Sequence, residues 1–99
     1  MKLTNFTDLL DHAAKYRYGI GAFCACNAET AQAAIEVGME LRSPILFIAS
    51  HEETPVLSPK GLVDVIKCVA EGADIPVGLH LDHASNLDFI WKCIEAGFP

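Results

Sequence analysis

The chain has 99 residues, 52% of them hydrophobic, and its 13 acidic and 7 basic residues leave a net charge of −6. Because no basic run interrupts this acidity, the composition argues against nucleic acid and anionic membranes as partners. No stretch approaches the ~20 continuous apolar residues that span a bilayer, and the N-terminus lacks a signal-peptide pattern, so the sequence predicts a cytoplasmic protein.

The four cysteines are Cys24, Cys26, Cys68 and Cys93. Two fall in a predicted strand and two in predicted helices, without the dense spacing of a secreted disulfide scaffold. This distribution agrees with a reducing, cytoplasmic compartment. We expect the thiols of Cys68 and Cys93 to be buried.

Helix and strand patterns alternate along the chain after a leading helix. The unalternating apolar run at residues 45–49 is typical of a strand buried on both faces. Good N-capping residues stand before the predicted helices, and these are Asn5 or Thr7, Asn27, Ser58 and Ser85. The predicted elements in order are a helix that follows Asn5 or Thr7 and runs through residue 18, a strand at 20–26, a helix at 28–42, a strand at 45–49, a helix at 59–71, a strand at 77–81 and a helix at 86–96.

The last predicted helix combines a polar start with an apolar side. Ser85 is its predicted N-cap, with Asp88 three residues on as in a capping box, and Gly97 ends it. The apolar residues expected to face inward are Leu87, Ile90, Trp91 and Ile94. We expect Trp91 to pack in the core rather than to bind a ligand.

The alternation predicts an α/β fold in which helices cover a parallel sheet. Two architectures satisfy it, an open doubly wound sheet and a (β/α)8 barrel. The turn after the first strand, residues 24–28, carries no glycine fingerprint for a dinucleotide, which favours the barrel. In both architectures function collects at the carboxyl ends of the strands, where the reactive side chains are Cys24, Cys26, Ser50, Asp82 and His83.

The strand at residues 77–81 leads directly into a carboxylate and an imidazole, Asp82 and His83. Side-chain alternation places His80 and Asp82 on one face of the sheet and His83 on the other, so His83 has to turn at the loop to join Asp82. Without further information, Asp82 is typical of a negative charge at the start of a helix. His83 is typical of an exposed loop residue, and Ser50 is typical of a residue that caps a turn. His80 is more typical of a hydrogen-bonded interior histidine than of a metal ligand.

Three separated motifs resemble those of class II fructose-bisphosphate and tagatose-bisphosphate aldolases. They are Ala22-Phe23 with Asn27-Ala28-Glu29-Thr30, then Leu41-Arg42-Ser43-Pro44-Ile45 running to Ser50, then Leu79-His80-Leu81-Asp82-His83. The resemblance covers essentially all 99 residues in the same order and spacing. The three motifs together make it specific, whereas the Leu-Asp-His block alone is weak.

The resemblance implies a zinc-dependent (β/α)8 barrel that reversibly cleaves a ketose 1,6-bisphosphate, fructose or tagatose, to dihydroxyacetone phosphate and glyceraldehyde 3-phosphate. By the family's motifs Asp82 is the acid/base, His83 is a zinc ligand and Ser50 lines the substrate site. Zinc in such enzymes is a Lewis acid that polarises the ketose carbonyl. A positive charge beside a proton acceptor suits this cleavage. The positive charge stabilises the enediolate that forms, while the acceptor takes the proton from the hydroxyl next to the carbon–carbon bond that breaks.

The first motif departs from the family at Cys24, where the family usually has an asparagine near the substrate. A thiol does not supply the paired donor and acceptor of an amide, so Cys24 is expected to contact substrate differently. Cys24 and Cys26 could also form a second, softer metal site with His80, although two thiols in a small-residue strand are more often simply packed.

The length of the chain sets a further expectation. A (β/α)8 barrel typically has about 250 residues, so residues 1–99 are expected to form one partial domain, the first three βα units plus a leading helix. A catalytic zinc normally has three protein ligands, and the resemblance implies that the others lie beyond residue 99. An open sheet edge and uncovered apolar faces predict homo-oligomers or association through that edge.

Two functions of different classes are therefore open. In the first, the chain is a segment of a zinc-dependent aldolase whose activity needs a C-terminal part. In the second, it is a non-catalytic remnant or association module with no activity of its own. The choice among fructose, tagatose and other ketoses is also open, because the loops that select the sugar's stereochemistry would lie outside these residues.

Overall fold

The computed structural model describes residues 2–24, 27–51 and 57–99. Helices and strands alternate after a leading helix, as predicted. The elements in order are α1 (Phe6–Tyr16), β1 (Ala22–Cys24), α2 (Ala28–Leu41), β2 (Ile45–Ala49), α3 (Pro59–Val69), β3 (Val77–Leu81) and α4 (Leu87–Ala96). The second and third strands have the predicted bounds, whereas α1 is shorter than predicted because Arg17 takes a left-handed backbone and caps it.

Each helix begins where a polar side chain accepts a hydrogen bond from the backbone N–H three residues on, which satisfies one donor that the helix leaves unpaired. The capping residues are Asn5, Asn27, Ser58 and Asn86. The predicted cap at Ser85 is wrong. Asn86 takes that place, because its side-chain oxygen accepts from the Phe89 N–H at 3.1 Å.

The three strands form one parallel sheet in the order β1-β2-β3. Ile45 pairs with Val77, and the pairing continues in step to the end of both strands. The first strand was predicted at residues 20–26 and is observed over Ala22–Cys24; residues 25 and 26 lie outside the described ranges. Parallel order brings the carboxyl ends of all three strands to one edge of the sheet.

The sheet has a helix layer on each face. On one face α2 and α3 bury Ile35 and Ile66 against Phe47 and Leu79, and each of these four side chains is at most 1% exposed. On the other face α1 lies across β3. Within the described ranges, no helix has the length and apolar character that crossing a membrane requires.

Helix α4 packs beside α3 but leaves most of its apolar side in solvent. We predicted that Leu87, Trp91 and Ile94 face the core, and this is wrong: they are 75%, 62% and 54% exposed. In a βα repeat a helix packs over the groove between its own strand and the next one. Because β3 is the edge strand of the described sheet, α4 has no second strand beside it, and Leu87, Trp91 and Ile94 form an open surface that we call the α4 stripe.

The two helical cysteines differ in environment. Cys93 on α4 is buried, as predicted, and burial raises the pKa of its thiol above the ordinary value of 9.0. Cys68 on α3 is exposed, so its predicted burial is wrong. It lies two residues after the buried Ile66, which places it about 200° around the helix, on the solvent side.

Candidate active site at the carboxyl edge of the sheet

The reactive side chains predicted from sequence follow the strands at one edge of the sheet. Cys24 is the last residue of β1, Ser50 follows β2, and Asp82 with His83 follows β3. The parallel topology therefore brings to one edge side chains from three separate stretches of sequence.

Asp82 continues the hydrogen-bond ladder beyond the last residue of β3. Its backbone N–H donates to the carbonyl oxygen of Ala49 at 2.8 Å, so its backbone is held by the neighbouring strand. Its side chain is 37% exposed. The carboxylate thus projects from a fixed backbone position while keeping access to a ligand.

His83 turns back toward Asp82 because its backbone is left-handed, with φ of 49°. Strand alternation would have sent the two side chains to opposite faces. Instead the Nε2 atom of His83 lies 3.5 Å from the Oδ2 atom of Asp82. The turn at His83 that alternation required is thus present, and it places an imidazole and a carboxylate together.

The left-handed conformation at His83 has an energetic cost. A non-glycine residue in this region is disfavoured by about 1–2 kcal/mol, although histidine visits it several-fold more often than most residues. Strained residues of this kind concentrate at functional sites. The side chain of His83 is 82% exposed, so the imidazole ring is accessible from solvent.

Ser50 is the one polar residue that is buried among those the structure describes, at 4% exposure. It directly follows Ala49, the residue whose carbonyl binds Asp82. Next to it, the ring of His51 stacks on Phe89 of α4 with centroids 4.2 Å apart and planes 9° apart. This contact attaches the loop after β2 to the start of α4. His51 is otherwise exposed, and no local pattern in the sequence links two rings 38 positions apart.

Cys24 and His80 lie on the same face of the sheet but on different strands. Cys24 pairs with Ile48, and Ile48 pairs with His80, so one whole strand separates them. With about 4.8 Å between strands, their backbones are about 10 Å apart. The second metal site suggested for this pair is therefore not assembled from Cys24 and His80, and Cys26 lies outside the described ranges.

His80 itself is half-buried, and its ring stacks on Phe6 of α1 with centroids 4.7 Å apart. The predicted interior position is thus partly met, and the contact given for its ring is an aromatic stack rather than the predicted hydrogen bond. Its neighbour in the stack is an aromatic ring contributed by the leading helix, which the strand's own sequence does not reveal.

The donor set at this edge fits part of a zinc site. Imidazole nitrogen is a common zinc ligand, and His83 presents one with solvent access. In the described part of the chain, no three His, Cys, Asp or Glu side chains are grouped closely enough to hold a metal ion. A catalytic zinc needs three protein ligands. His83 would therefore hold the ion only together with ligands from outside the described residues.

Comparison with known proteins identifies a family for the chain. The family model for class II fructose-bisphosphate aldolase matches residues 4–99. The fructose-bisphosphate aldolase of Treponema pallidum (strain Nichols) is 36% identical over 101 residues, which cover 97% of this chain and 30% of that enzyme. The sulfofructosephosphate aldolase of Alkalicoccus urumqiensis is 33% identical over 90 residues, covering 91% of this chain and 31% of that enzyme.

The fold agrees with a solved aldolase. The YdjI aldolase of Escherichia coli K12 superposes with a TM-score of 0.84 at 23% identity, over 97% of this chain and 37% of that one. The chain thus spans about a third of the length of the relatives it matches, and its fold is that of a leading helix and the first three βα units of a (β/α)8 barrel. The chain belongs to the class II fructose-bisphosphate aldolase family.

Proposed function

We propose that this chain contributes the acid/base and one zinc ligand to the active site of a class II ketose-bisphosphate aldolase, with Asp82 as the acid/base and His83 as the ligand. The observation that carries the proposal is the approach of the His83 imidazole to the Asp82 carboxylate at the carboxyl end of β3. The left-handed backbone of His83 supports it, because that conformation costs energy and brings the two groups together.

The proposed role of Asp82 follows from its position. Aldol cleavage requires a base to take the proton from the hydroxyl next to the carbon–carbon bond that breaks. The carboxylate of Asp82 accepts this proton and returns one in the reverse direction. Its backbone bond to Ala49 holds it in place. Zinc, when bound by His83 and further ligands, would supply Lewis-acid polarisation of the substrate carbonyl.

The proposed substrates are sugar phosphates that split to dihydroxyacetone phosphate and an aldehyde. Fructose and tagatose 1,6-bisphosphate are the first candidates, with glyceraldehyde 3-phosphate as the aldehyde. The relative from Alkalicoccus urumqiensis is named a sulfofructosephosphate aldolase, which makes a sulfonated sugar phosphate a second candidate. We propose that Ser50 and Cys24 line the substrate site, since both end or follow strands at this edge.

We also propose that residues 1–99 act as the N-terminal part of a barrel whose remaining βα units complete the site. The α4 stripe supports this, because a fourth helix would cover it. The edge of β3 away from β2 also supports it, since in the described sheet no strand pairs there and Thr4 bonds only to its first residue, Val77. The experiment uses a completed protein, in which this chain is fused to the part of the Treponema pallidum aldolase that follows its matched region.

The completed protein is expected to cleave fructose or tagatose 1,6-bisphosphate, whereas the 99-residue chain alone is inactive. The reason is the ligand count: His83 is one donor, and catalytic zinc needs three. Release of dihydroxyacetone phosphate in a coupled assay with added zinc measures the activity. A folded completed protein that binds zinc yet cleaves none of the three candidate sugars would contradict the proposal.

Trp91→Ala is expected to lower the unfolding free energy of the completed protein by about 3 kcal/mol, because it removes a large buried side chain. In the 99-residue chain, where Trp91 is 62% exposed, the same change should cost about 0.5 kcal/mol or less. Urea unfolding of both proteins measures the difference, with Leu10→Ala on α1 as a control whose effect should be similar in the two. Equal effects of Trp91→Ala would contradict the proposed barrel contact.

The alternative is that the α4 stripe pairs with a second copy or another protein and that the chain has no catalytic role. The exposure of Leu87, Trp91 and Ile94 is the observation that favours it. Sedimentation of the 99-residue chain separates the two cases. A stable homodimer that persists in Cys68→Ser and is lost in Trp91→Ala would support association through the stripe.

A further inference from the structure

The leading helix is attached to the strand that carries the candidate site. Before α1 begins, the Thr4 N–H donates to the carbonyl oxygen of Val77, the first residue of β3, at 2.8 Å. This bond continues the backbone pairing of β3 on the side away from β2. Residues 4 and 77 are thus tied together although they are far apart in sequence.

A glycine lets the helix approach the strand closely. A Cβ atom at Gly78 would lie 2.5 Å from the Leu9 side chain and 3.1 Å from the Thr4 carbonyl oxygen. Both distances are shorter than ordinary contacts, and the second is to backbone, which moves less readily than a side-chain end. Leu9 is 3% exposed in this position, so α1 covers the N-terminal part of β3 around Gly78.

The third contact between the leading helix and β3 lies nearer the carboxyl end of the strand. Phe6, the first residue of α1, stacks on the ring of His80 with an interplanar angle of 21°. The start of α1 is itself held, because the side chain of Asn5 accepts from the Asp8 N–H at 2.8 Å. The ring of Phe6 therefore packs on β3 from a helix end whose backbone is held by its cap.

His80 and Asp82 project from the same face of β3, two residues apart. Beyond Leu81, within the described ranges, the ladder bond that holds this strand to β2 runs from the Asp82 N–H to the Ala49 carbonyl oxygen. Of the three α1 contacts described above, the Phe6–His80 stack is the one closest along the strand to that bond. It restricts the end of the strand on the face from which the Asp82 side chain emerges.

We propose that Phe6 and His80 are positioning residues, whose stacked rings hold the carboxyl end of β3 so that Asp82 and His83 keep their relative geometry. The inference rests on the proposed function of Asp82 and His83 and extends it to the leading helix. The leading helix and the segment before it contact β3 at three successive points: the Thr4 bond, the close approach at Gly78 and the stack on His80. The stack is the one of these contacts nearest the site.

Amide hydrogen exchange of the 99-residue protein, followed residue by residue by NMR, tests the proposal. Phe6→Leu keeps an apolar side chain but removes the ring. Because an aromatic contact shifts a local equilibrium by about two- to tenfold, exchange of the Asp82 amide should accelerate by that factor. Exchange of the Ile35 and Ile66 amides, in the buried helices of the opposite layer, should stay unchanged. The coupling between the amide and α protons of His83, which reports its φ, should also change.

The matched control is Tyr16→Leu, which removes a ring from the same helix. Tyr16 contacts His12, with centroids 4.6 Å apart, and this contact lies away from β3. The control should leave the Asp82 amide unchanged, and Phe6→Tyr, which keeps the ring, should restore wild-type exchange.

Three results would overturn the inference. They are an unchanged exchange rate of the Asp82 amide in folded Phe6→Leu, an equal acceleration of exchange at Ile35 and Ile66, and global unfolding of the variant. Either of the last two would mean that the stack stabilises the whole fold rather than the end of β3. The measurement requires no catalysis, so its failure leaves the aldolase proposal untouched. Conversely, a completed protein without activity would leave the exchange result in force and refute only the aldolase proposal.

Discussion

Replacing Asp82 with asparagine should lower the turnover of the completed protein by about 10²–10⁴-fold, the usual contribution of a positioned general acid/base. The amide has nearly the shape of the carboxylate but does not accept a proton at neutral pH. The backbone bond from Asp82 to Ala49 is unaffected by the side chain, so the strand end should keep its position. Steady-state cleavage rates measure the loss, and atomic absorption measures the zinc that each protein retains.

Asp88→Asn is the matched control for this change. Asp88 is an exposed carboxylate in the first turn of α4, close in sequence but with no proposed role in the chemistry. Its turnover should stay within about twofold of the parent, as surface changes usually have small effects. If Asp82→Asn lost zinc as completely as a ligand variant, Asp82 would be holding the metal, and the proposed division of roles would be wrong.

Replacing His83 with alanine should weaken zinc binding to the completed protein by at least about 100-fold, because even outer partners of zinc ligands contribute 10–100-fold. The loss should appear as zinc that dialyses away from the variant but stays with the parent. Turnover should fall with the metal and recover in part at high zinc concentration. His12, an exposed histidine on α1 that bonds to Tyr18, supplies the control, since His12→Ala should keep its zinc.

A glycine at position 83 separates the backbone from the side chain. Alanine at φ of 49° keeps the left-handed strain, whereas glycine adopts this region without it. His83→Gly should therefore be more stable than His83→Ala by about 1 kcal/mol, while both lose zinc equally. Retention of zinc by both variants would remove His83 from the proposed ligand set.

Much of the fold follows from local pattern. The strands Ile45–Ala49 and Val77–Leu81 have the bounds predicted for them. The first is an unalternating apolar run, which is typical of a strand buried on both faces. Three of the four helix caps are where the sequence places them, since each satisfies donors within its own first turn. The motif around Asp82 and His83, together with two others, was enough to identify the family.

Contacts between distant residues were not predictable in this way. The stacks of Phe6 on His80 and of His51 on Phe89 join rings from different elements, and ring pairs of this kind depend on how the helices pack against the sheet. The exposure of Trp91 was missed for a related reason. A 3.6-residue apolar period marks a face that can be buried, but whether a neighbour covers it depends on the strands beside it.

The sequence by itself determined that three strands end in reactive side chains and that Asp82 and His83 follow one another at the end of β3. Only the tertiary structure decided that the two side chains meet, because strand alternation points them apart and the left-handed backbone of His83 reverses that direction. It also decided that α1 supports the strand from its other face. Both depend on long-range packing, which fixes backbone conformations that local preferences disfavour.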